Sequence, residues 1–253
     1  MSAPAEDFWA DVPFGPGVRR VACDANGLAA LDKPEGILSH PNGPLDEDRS
    51  LVRARYDREG ECFEWPGPDG ETRRLWLINR LDSATSGLIL AAADEALARE
   101  VRSRFRRRGV RKIYQALVFG KPRQASETWR DVLAVRKEGG RIRAAAGAGN
   151  LPAESRMTLV RTGSGATRVS MILLEPSTGR SHQLRVQCAS RGLPIVGDRT
   201  YGDFAANRGF AKGGGAKRMF LHSLEIGFEY SLGGREHPFS ARAPLPPEFE
   251  SLG

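Results

Sequence analysis

The chain has 253 residues, of which 40% are hydrophobic and 27% are charged, and it carries a formal net charge of +7. This length can bury one large core or two small ones, and the composition is typical of a soluble globular protein. No apolar run approaches the ~18–20 residues that span a bilayer, which excludes a helical membrane protein. The sequence pI near 9.7 favours a polyanionic partner.

The cysteine and histidine contents argue against disulfides and metal sites. The three cysteines, Cys23, Cys62 and Cys188, are odd in number and share no close spacing, so we expect free thiols in a reducing cytoplasm. The four histidines are too scattered for metal-ligand spacing, and we assign no metal. The acidic, proline-containing N-terminus has neither the basic start nor the apolar centre of a signal peptide. We therefore predict a cytoplasmic protein.

The first third of the chain is predicted to be a tail, a hairpin and loops. Residues 1–17 resemble a flexible tail that Phe8 and Trp9 could anchor, so the folded domain is expected to cover residues 18–253. Within residues 18–31, the segment Asp24-Ala25-Asn26-Gly27 is typical of a hairpin turn. Next, Lys33 precedes Pro34 and is placed to meet an anion. A short helix is predicted over residues 50–58, and residues 60–73 are turn-rich.

A polar stretch, residues 79–87, lies between the apolar runs 75–78 and 88–92. Its Ser, Thr and Gly residues indicate a turn between two strands. If the first strand persists to residue 82, its period of two places Arg80 and Asp82 on one face. A carboxylate beside a cation stays ionised and suits a nucleophile. The alternative is an exposed turn aspartate that caps the backbone, the more usual role for such a residue.

A basic helix is predicted to follow this turn. Asp94 is a suitable N-cap, Gly109 is placed to end the helix, and Leu97, Val101 and Phe105 form a buried stripe at four-residue spacing. Residues 99–112 contain eight basic residues and one acid, so this short run alone carries a net charge equal to that of the protein. Such a run is either a solvated face or a surface for phosphate groups, and its exposed members include Arg106, Arg107 and Arg108.

The remaining elements are predicted to be mainly strands. A strand over residues 110–119 places Tyr114 on a face with Ala116 and Val118. Residues 136–152 are rich in Gly, Ala and Arg and indicate a flexible hairpin or loop, and further strands are expected over residues 154–161 and 166–174. Strands joined by short turns, with few helices between them, favour an α+β fold on a mainly antiparallel mixed sheet.

Two segments near the C-terminus complete the pattern. Residues 177–192 are predicted to form a three-turn helix that Gly192 closes, with His182 and Arg185 three positions apart on one face. His182 on its own is more often a structural hydrogen-bonding residue than a catalyst. Residues 207–218 hold four basic residues and four glycines, and we expect them to be a mobile loop.

Five motifs, in order, resemble those of the RluA-type pseudouridine synthase family. The polar stretch resembles its His-Arg-Leu-Asp-x-x-Thr-Ser-Gly motif, with Asn79 in place of the usual histidine and Ser83 where arginine is common. The segment around Lys33 resembles Asp-Lys-Pro-x-Gly, and residues 112–120 resemble Lys-x-Tyr-x-Ala-Leu-Val-x-Gly. Residues 178–185 resemble Thr-Gly-Arg-Thr-His-Gln-Ile-Arg, and residues 194–202 resemble its Pro-Ile-x-Gly-Asp-x-x-Tyr-Gly continuation.

This resemblance implies a bent antiparallel sheet flanked by helices and the isomerisation of uridine to pseudouridine in RNA, without cofactor or metal. It makes Asp82 the nucleophile, Arg185 its ion-pair partner and Tyr114 the residue that packs on uracil. Arg80 would occupy the stack that the flipped base vacates. The resemblance assigns further substrate contacts, and charge adds the basic helix, giving the set Lys33, Thr85, Arg180, His182, Gln183, Arg106, Arg107 and Arg108.

The expected partner is a transfer or ribosomal RNA, bound by a monomer without an obligate protein partner. The chain leaves no room before residue 30 for the small RNA-binding domain that many relatives carry. A non-catalytic RNA-binding protein of the same fold is the competing class, and the presence together of Arg80, Asp82, Tyr114 and Arg185 argues against it. A Ser-His-Asp hydrolase is a third, weaker alternative.

Overall fold

The computed structural model of the chain describes residues 5–138, 141–147, 149–163, 168–215 and 217–249. The chain divides into two compact units, the first Met1–Val110 with Glu225–Pro244, and the second Arg111–Leu224 with Leu245–Gly253. A single domain over residues 18–253 stays a prediction. Within the described ranges, no helix is long and apolar enough to cross a membrane.

The first unit begins with a short helix and six strands, followed by a longer helix. These elements are α1 Ala5–Ala10, β1 Arg19–Cys23, β2 Leu28–Lys33, β3 Arg55–Asp57, β4 Cys62–Pro66, β5 Thr72–Leu77, β6 Ser86–Ala92 and α2 Glu95–Arg106, with a 3-10 helix at Pro44–Arg49. The second unit contains β7 Arg111–Phe119, β8 Ser126–Glu138, β9 Arg141–Ala146, β10 Leu151–Thr162, β11 Val169–Pro176, α3 Gln183–Ser190 and α4 Phe204–Lys212. Strand β12, Leu221–Leu232, begins in the second unit and continues into the first, which also contains β13 Arg235–Arg242. A 3-10 turn at Pro247–Phe249 belongs to the second unit.

The predicted hairpin at the start of the first unit is confirmed. Strands β1 and β2 pair antiparallel, and Asp24 Oδ1 accepts the backbone N–H groups of Asn26 and Leu28, each at 3.0 Å. Gly27 has φ +86°, a conformation that side chains with a Cβ rarely adopt. Local turn chemistry therefore fixes this hairpin.

Strand β6 is buried along its whole length and organises the core of the first unit. It pairs antiparallel with β2 from Gly87 to Ala92 and with β5 at Ala91 and Ala92. Because side chains alternate along a strand, Ile89 and Ala91 pack into one apolar cluster, whereas Leu88 and Leu90 pack into another on the opposite face. The second cluster includes the stripe of helix α2.

Helix α2 forms where the sequence predicts it. Asp94 Oδ1 accepts the N–H of Leu97 at 2.9 Å and caps the first turn. Leu97 and Val101 are fully buried, and Phe105 packs partly buried against the same cluster. The N–H of Gly109 bonds to the carbonyl of Arg104 just past the end of the helix. The buried stripe and the cap together fix the register of this helix.

The helix predicted over residues 50–58 is wrong. Leu51 and Val52 are fully buried there, and strand β3 pairs with β4, with Tyr56 opposite Phe63. The turn-rich segment 60–73 does contain turns at 58–61 and 68–70, but it also contributes β4 and the start of β5, an antiparallel hairpin that we did not predict from the sequence. Burial of apolar side chains against the first cluster outweighed the weak local preference.

Residues 8–17 pack against the same cluster as β3 and β4. Trp9 and Val12 are buried, and Phe8 is partly buried against them. Phe14 forms a β-bridge with Val52. The anchoring by Phe8 and Trp9 that the sequence predicts is therefore present.

The second unit contains an antiparallel series of strands in the order β7, β11, β10, β8 and β9. The predicted strands over 110–119, 154–161 and 166–174 correspond to β7, β10 and β11, although Ala166 lies outside the described residues. The hairpin interpretation of residues 136–152 is confirmed, since β8 pairs with β9 there. An apolar cluster that includes Leu133, Ala153 and Val186 holds α3 against these strands.

The mobile loop predicted over residues 207–218 is wrong for its first half, residues 207–212. Residues up to Lys212 belong to α4, whose first turn is capped by Asp203 Oδ1 through the N–H groups of Ala205 and Ala206. Arg218 is only 8% exposed, and its guanidinium lies 3.5 Å from Glu248. The N-cap and the packing of Phe210 against buried aromatic rings stabilise a segment that its glycine content alone predicts to be mobile.

Candidate active site

The turn between β5 and β6 carries Arg80 and Asp82. Strand β5 ends at Leu77, so the alternation of a strand does not decide whether these two side chains share a face. Asp82 is half-buried and Arg80 is exposed. The carbonyl of Asp82 accepts the N–H of Thr85 at 3.0 Å, which closes the turn, and Thr85 itself is buried. The turn therefore carries a partly shielded carboxylate two residues after an exposed cation.

Asn79, which stands where the family motif has histidine, binds the backbone of β6. Its Oδ1 accepts the N–H of Leu90 at 2.7 Å, next to the backbone bond from Ile78 N to Leu90 O at 3.0 Å. The backbone of Ile78 and the side chain of Asn79 thus continue the pairing with β6 for two residues beyond the end of β5. Asn79 anchors the start of the turn, a structural role that the sequence comparison with the motif does not reveal.

The surroundings of Lys33 differ from those expected for a residue that binds an anion of the substrate. Its side chain is fully buried, and Nζ donates to the carbonyl oxygens of Pro34 at 2.9 Å, Ile37 at 2.7 Å and Ser83 at 3.1 Å. Three carbonyl acceptors match the three N–H groups of an ammonium ion. This geometry favours a role in holding the turn of Asp82 over direct contact with substrate.

The arginines of the basic run 99–112 fall into two groups, those with a carboxylate or carbonyl partner and those at the exposed end of α2. Arg99, Arg104 and Arg111 form ion pairs with Glu95, Glu100 and Glu175, and Arg102 donates to the carbonyls of Leu77 and Glu61. Arg106, Arg107 and Arg108 are exposed at the end of α2, and none of the ion pairs among the described residues involves them. These three arginines are the part of the run that a polyanion could engage.

Three further predicted contact residues, Arg180, His182 and Gln183, lie in the loop before α3 and at the first position of that helix. Gln183 is 4% exposed, and its Oε1 accepts from Thr178 Oγ1 at 2.7 Å while Nε2 donates to Glu154 O at 3.1 Å. The N–H of Arg180 also reaches Gln183 Oε1, at 3.1 Å. Gln183 therefore stabilises the loop, which differs from the substrate contact that we predicted for it.

His182 lies outside α3 and adopts a left-handed backbone conformation, with φ +56°. The prediction that His182 shares a helix face with Arg185 is therefore wrong, because the helix begins at Gln183 and does not include His182. His182 Nδ1 lies 2.7 Å from the hydroxyl of Tyr201, which also accepts the N–H of Ala144 at 2.8 Å. These bonds support the structural alternative for this histidine.

Arg185 is 7% exposed and forms a bidentate ion pair with Asp198. Its Nε and Nη2 donate to Oδ2 and Oδ1 of that carboxylate, each at 2.8 Å. Asp198 Oδ1 also accepts the N–H groups of Thr200 and Tyr201, at 2.8 and 3.0 Å. Burial raises the pKa of Asp198, but the hydrogen bonds and charge of Arg185, with these two N–H groups, lower it overall. Asp198 thus stays ionised and fixes the guanidinium.

Asp198 is a residue of the site that our sequence reasoning missed. The sequence does contain a signal for it, since Asp198 belongs to the Gly-Asp-x-x-Tyr-Gly segment. No spacing rule, however, predicts that Asp198 contacts Arg185. Gly197 explains part of that segment, since its φ is +78° and a Cβ there would lie 1.6 Å from the carbonyl of Arg218. The glycine lets the chain pass this backbone and bring Asp198 to Arg185.

Tyr114 lies on β7 opposite Leu174 of β11 and is half-buried. Asp82, Arg80, Thr85 and Lys33 belong to the first unit, whereas Tyr114 and the group of Arg180, His182, Gln183 and Arg185 belong to the second. Within the part of the chain that the structure describes, no cluster of three or more His, Cys, Asp or Glu side chains could hold a metal ion.

Comparisons with known proteins identify the family of this chain. A family model described as RNA pseudouridylate synthase matches residues 27–190. The dual-specificity RNA pseudouridine synthase RluA of Escherichia coli (strain K12) is 32% identical over 85% of this chain and 89% of its own length. An uncharacterized RNA pseudouridine synthase of Chloroflexus aurantiacus is also 32% identical, over 87% of this chain and 63% of its own length.

A solved structure supports the same fold. Human RNA Pseudouridylate Synthase Domain Containing 1 superposes with a TM-score of 0.68, at 23% identity, over 93% of this chain and 87% of that protein. The predicted α+β pseudouridine synthase fold is thereby confirmed. Because the family model spans more than half of the chain and the Escherichia coli relative exceeds 30% identity, this chain belongs to the RluA-type RNA pseudouridine synthases, isomerases that convert uridine in RNA to pseudouridine.

Proposed function

We propose that Asp82 is the nucleophile of this isomerisation. The reaction breaks the C1′–N1 bond of uridine, turns the uracil and forms a C1′–C5 bond, while C5 loses a proton and N1 gains one. Its atoms balance without a second substrate, so a carboxylate, a general base and a site that retains the uracil suffice. The observation that carries the proposal is the half-buried carboxylate of Asp82 in a closed turn that matches the family motif.

Arg185 and Tyr114 complete the proposed catalytic group. We propose that Arg185 is the ion-pair partner of Asp82. A guanidinium carries five N–H donors, and the bidentate pair with Asp198 would hold it in one orientation for that purpose. Tyr114 would pack on the uracil ring and assist removal of the C5 proton.

The target base must leave its helical stack to reach Asp82, at a cost of a few kcal/mol. Arg80 is exposed and two residues from the proposed nucleophile, which suits it to fill the vacated space. The substrate would be a structured transfer or ribosomal RNA, and the enzyme would act as a monomer in the cytoplasm. Thr85 and Arg180 are retained as candidates for contacts with the flipped nucleotide.

Mapping of pseudouridine in total RNA tests this function directly. RNA from a strain that lacks the gene should lose the modification at one or a few uridines, and purified enzyme should restore it there. If the deletion leaves every pseudouridine in place and the enzyme modifies no uridine of the deletion RNA, the chain would instead be a non-catalytic RNA-binding protein of this fold.

The exposed arginines at the end of α2 should contact RNA phosphates. Replacing Arg106, Arg107 and Arg108 by Gln is expected to weaken binding to cognate and scrambled RNA alike. It should also flatten the dependence of log K on log salt by about 0.7–0.9 per lost contact. Binding isotherms at several salt concentrations measure this slope.

A matched control removes the same charge from paired arginines. Arg99, Arg111 and Arg130 are exposed but form ion pairs with Glu95, Glu175 and Glu154. Their replacement by Gln should change the salt slope less. Equal slopes for the two triple variants would mean that the net charge, and not the end of α2, sets the affinity for RNA.

A further inference from the structure

The backbone just before Asp82 is held by a single buried hydroxyl. Ser39 Oγ accepts the N–H of Leu81 at 3.0 Å and donates to the carbonyl of the same residue at 2.7 Å. Ser39 is 6% exposed, so water has little access to compete for these bonds. One side chain thus satisfies both polar backbone groups of the residue that precedes the proposed nucleophile.

The backbone just after Asp82 is held by the same loop and by the turn itself. The carbonyl of Ser83 accepts the N–H of Gly36 at 2.8 Å and Lys33 Nζ at 3.1 Å. The carbonyl of Asp82 accepts the N–H of Thr85 at 3.0 Å. Residues 33–39 therefore contact the catalytic turn on both sides of its carboxylate.

These bonds determine the direction of the Cα–Cβ bond of Asp82. Each peptide group is planar, and a residue has only two soft backbone dihedrals between its flanking planes. The plane before Asp82 contains the Leu81 carbonyl, held by Ser39, and the plane after it contains the Asp82 carbonyl, held by the N–H of Thr85. With both planes fixed, the Cα–Cβ bond of Asp82 points in one direction.

We propose that Ser39 is a positioning residue for the isomerisation: its hydroxyl fixes the Leu81–Asp82 peptide and thereby aims the Asp82 carboxylate at the reacting nucleoside. The inference rests on the proposed role of Asp82 as nucleophile. Ser39 contacts the backbone of Leu81 and acts through it, so its removal should impair the chemical step and leave RNA binding intact. A displacement of about 1 Å at a reacting group can cost about 100-fold in rate.

Single-turnover kinetics separate the chemical step from binding. The probe is total RNA from a strain that lacks the gene, labelled with 5-tritiated uridine, and tritium release is followed with enzyme in excess. Ser39→Ala should lower the rate at saturating enzyme about 10- to 100-fold. The enzyme concentration at half-saturation should change by less than about threefold, because RNA affinity is unaffected. Ser39→Thr keeps the hydroxyl and should recover most of the rate.

Ser50→Ala is the matched control. Ser50 is fully buried in the same unit and its backbone forms a β-bridge with Leu38, but its Oγ donates to the carbonyl of Asp46 at 2.8 Å and not to the catalytic turn. It should shift the thermal midpoint about as much as Ser39→Ala while leaving the saturating rate unchanged. A rate that falls equally in both alanine variants would show a general loss of stability and would overturn the positioning role.

The remaining outcomes distinguish this inference from the assignment of the nucleophile. If Asp82→Asn is inactive but Ser39→Ala keeps the wild-type rate within about twofold, Asp82 stands and Ser39 is merely structural. A Ser39→Thr variant as slow as Ser39→Ala, at an equal thermal midpoint, also counts against the hydroxyl. An active Asp82→Asn removes the nucleophile and the positioning role together.

Discussion

Asp82→Asn should abolish pseudouridine formation while RNA binding and folding stay nearly intact. The amide is similar in size to the carboxylate but is not a nucleophile, so only the covalent step is lost, by at least about 1,000-fold. Tritium release from RNA labelled with 5-tritiated uridine measures the rate, and binding isotherms and the thermal midpoint report the other two properties. Residual turnover within about tenfold of wild type would remove Asp82 from this role.

Asp57→Asn provides the control for the alternative in which Asp82 is an ordinary turn aspartate. The carboxylate of Asp57 accepts the N–H groups of Glu59 and Gly60 at 3.1 Å each, in a turn of the same unit. Its loss should lower stability slightly and leave the rate unchanged. Had Asp82 only a capping function, the two asparagine variants would behave alike.

Arg185→Ala is expected to have the second largest effect. It leaves the carboxylate of Asp198, whose side chain is 1% exposed, without its cation, and breaking a buried pair in this way costs about 3–5 kcal/mol of unfolding free energy. Activity should also fall, because the proposed partner of Asp82 is lost. Arg185→Lys should recover only part of either property, since an ammonium cannot form the bidentate bonds. Denaturant unfolding and tritium release measure the two effects.

A double variant separates the structural role of Arg185 from its proposed catalytic role. Arg185→Met with Asp198→Asn removes both charges and keeps an oxygen for the N–H groups of Thr200 and Tyr201. Stability should largely return, because no uncompensated charge is buried, but activity should not. A stable and active double variant would show that Arg185 serves Asp198 alone.

Arg191→Ala, at the position just after the same helix, is the matched control for Arg185. Its Nη1 lies 3.0 Å from Asp131, but the two side chains are 23% and 15% exposed. Water screens this pair more effectively, so its loss should cost less stability than the loss of Arg185. Activity should remain near that of wild type.

Several features follow from the sequence because their causes are local. The turn at Asp24 and Gly27 and the cap at Asp94 depend on side chains that bond to a backbone within four residues. The stripe of Leu97 and Val101 depends only on helical periodicity. The motifs around Asp82 and Arg185 indicate the family for a similar reason, since each is a short run of specific residue types.

Only the tertiary structure decided features that depend on partners distant in sequence. The helix predicted over residues 50–58 is replaced by β3 because β4 offers a pairing edge and buried neighbours. Lys33 has the residue type of an anion ligand, yet folding places it against three carbonyls, one of them 50 positions away. Residues 204–212 form a helix because packing of Phe210 and the cap of Asp203 outweigh the flexibility of glycine.

The same reason explains what the sequence could and could not determine about the catalytic turn. The residue types of the motif determined which carboxylate to test, because a nucleophile and a neighbouring cation are encoded in three consecutive positions, Arg80 to Asp82. The orientation of that carboxylate depends on Ser39, which lies 42 positions from Leu81, and that of Arg185 depends on Asp198, 13 positions away. Hydrogen bonds across such separations obey no periodicity, so only the folded chain brings their donors and acceptors together.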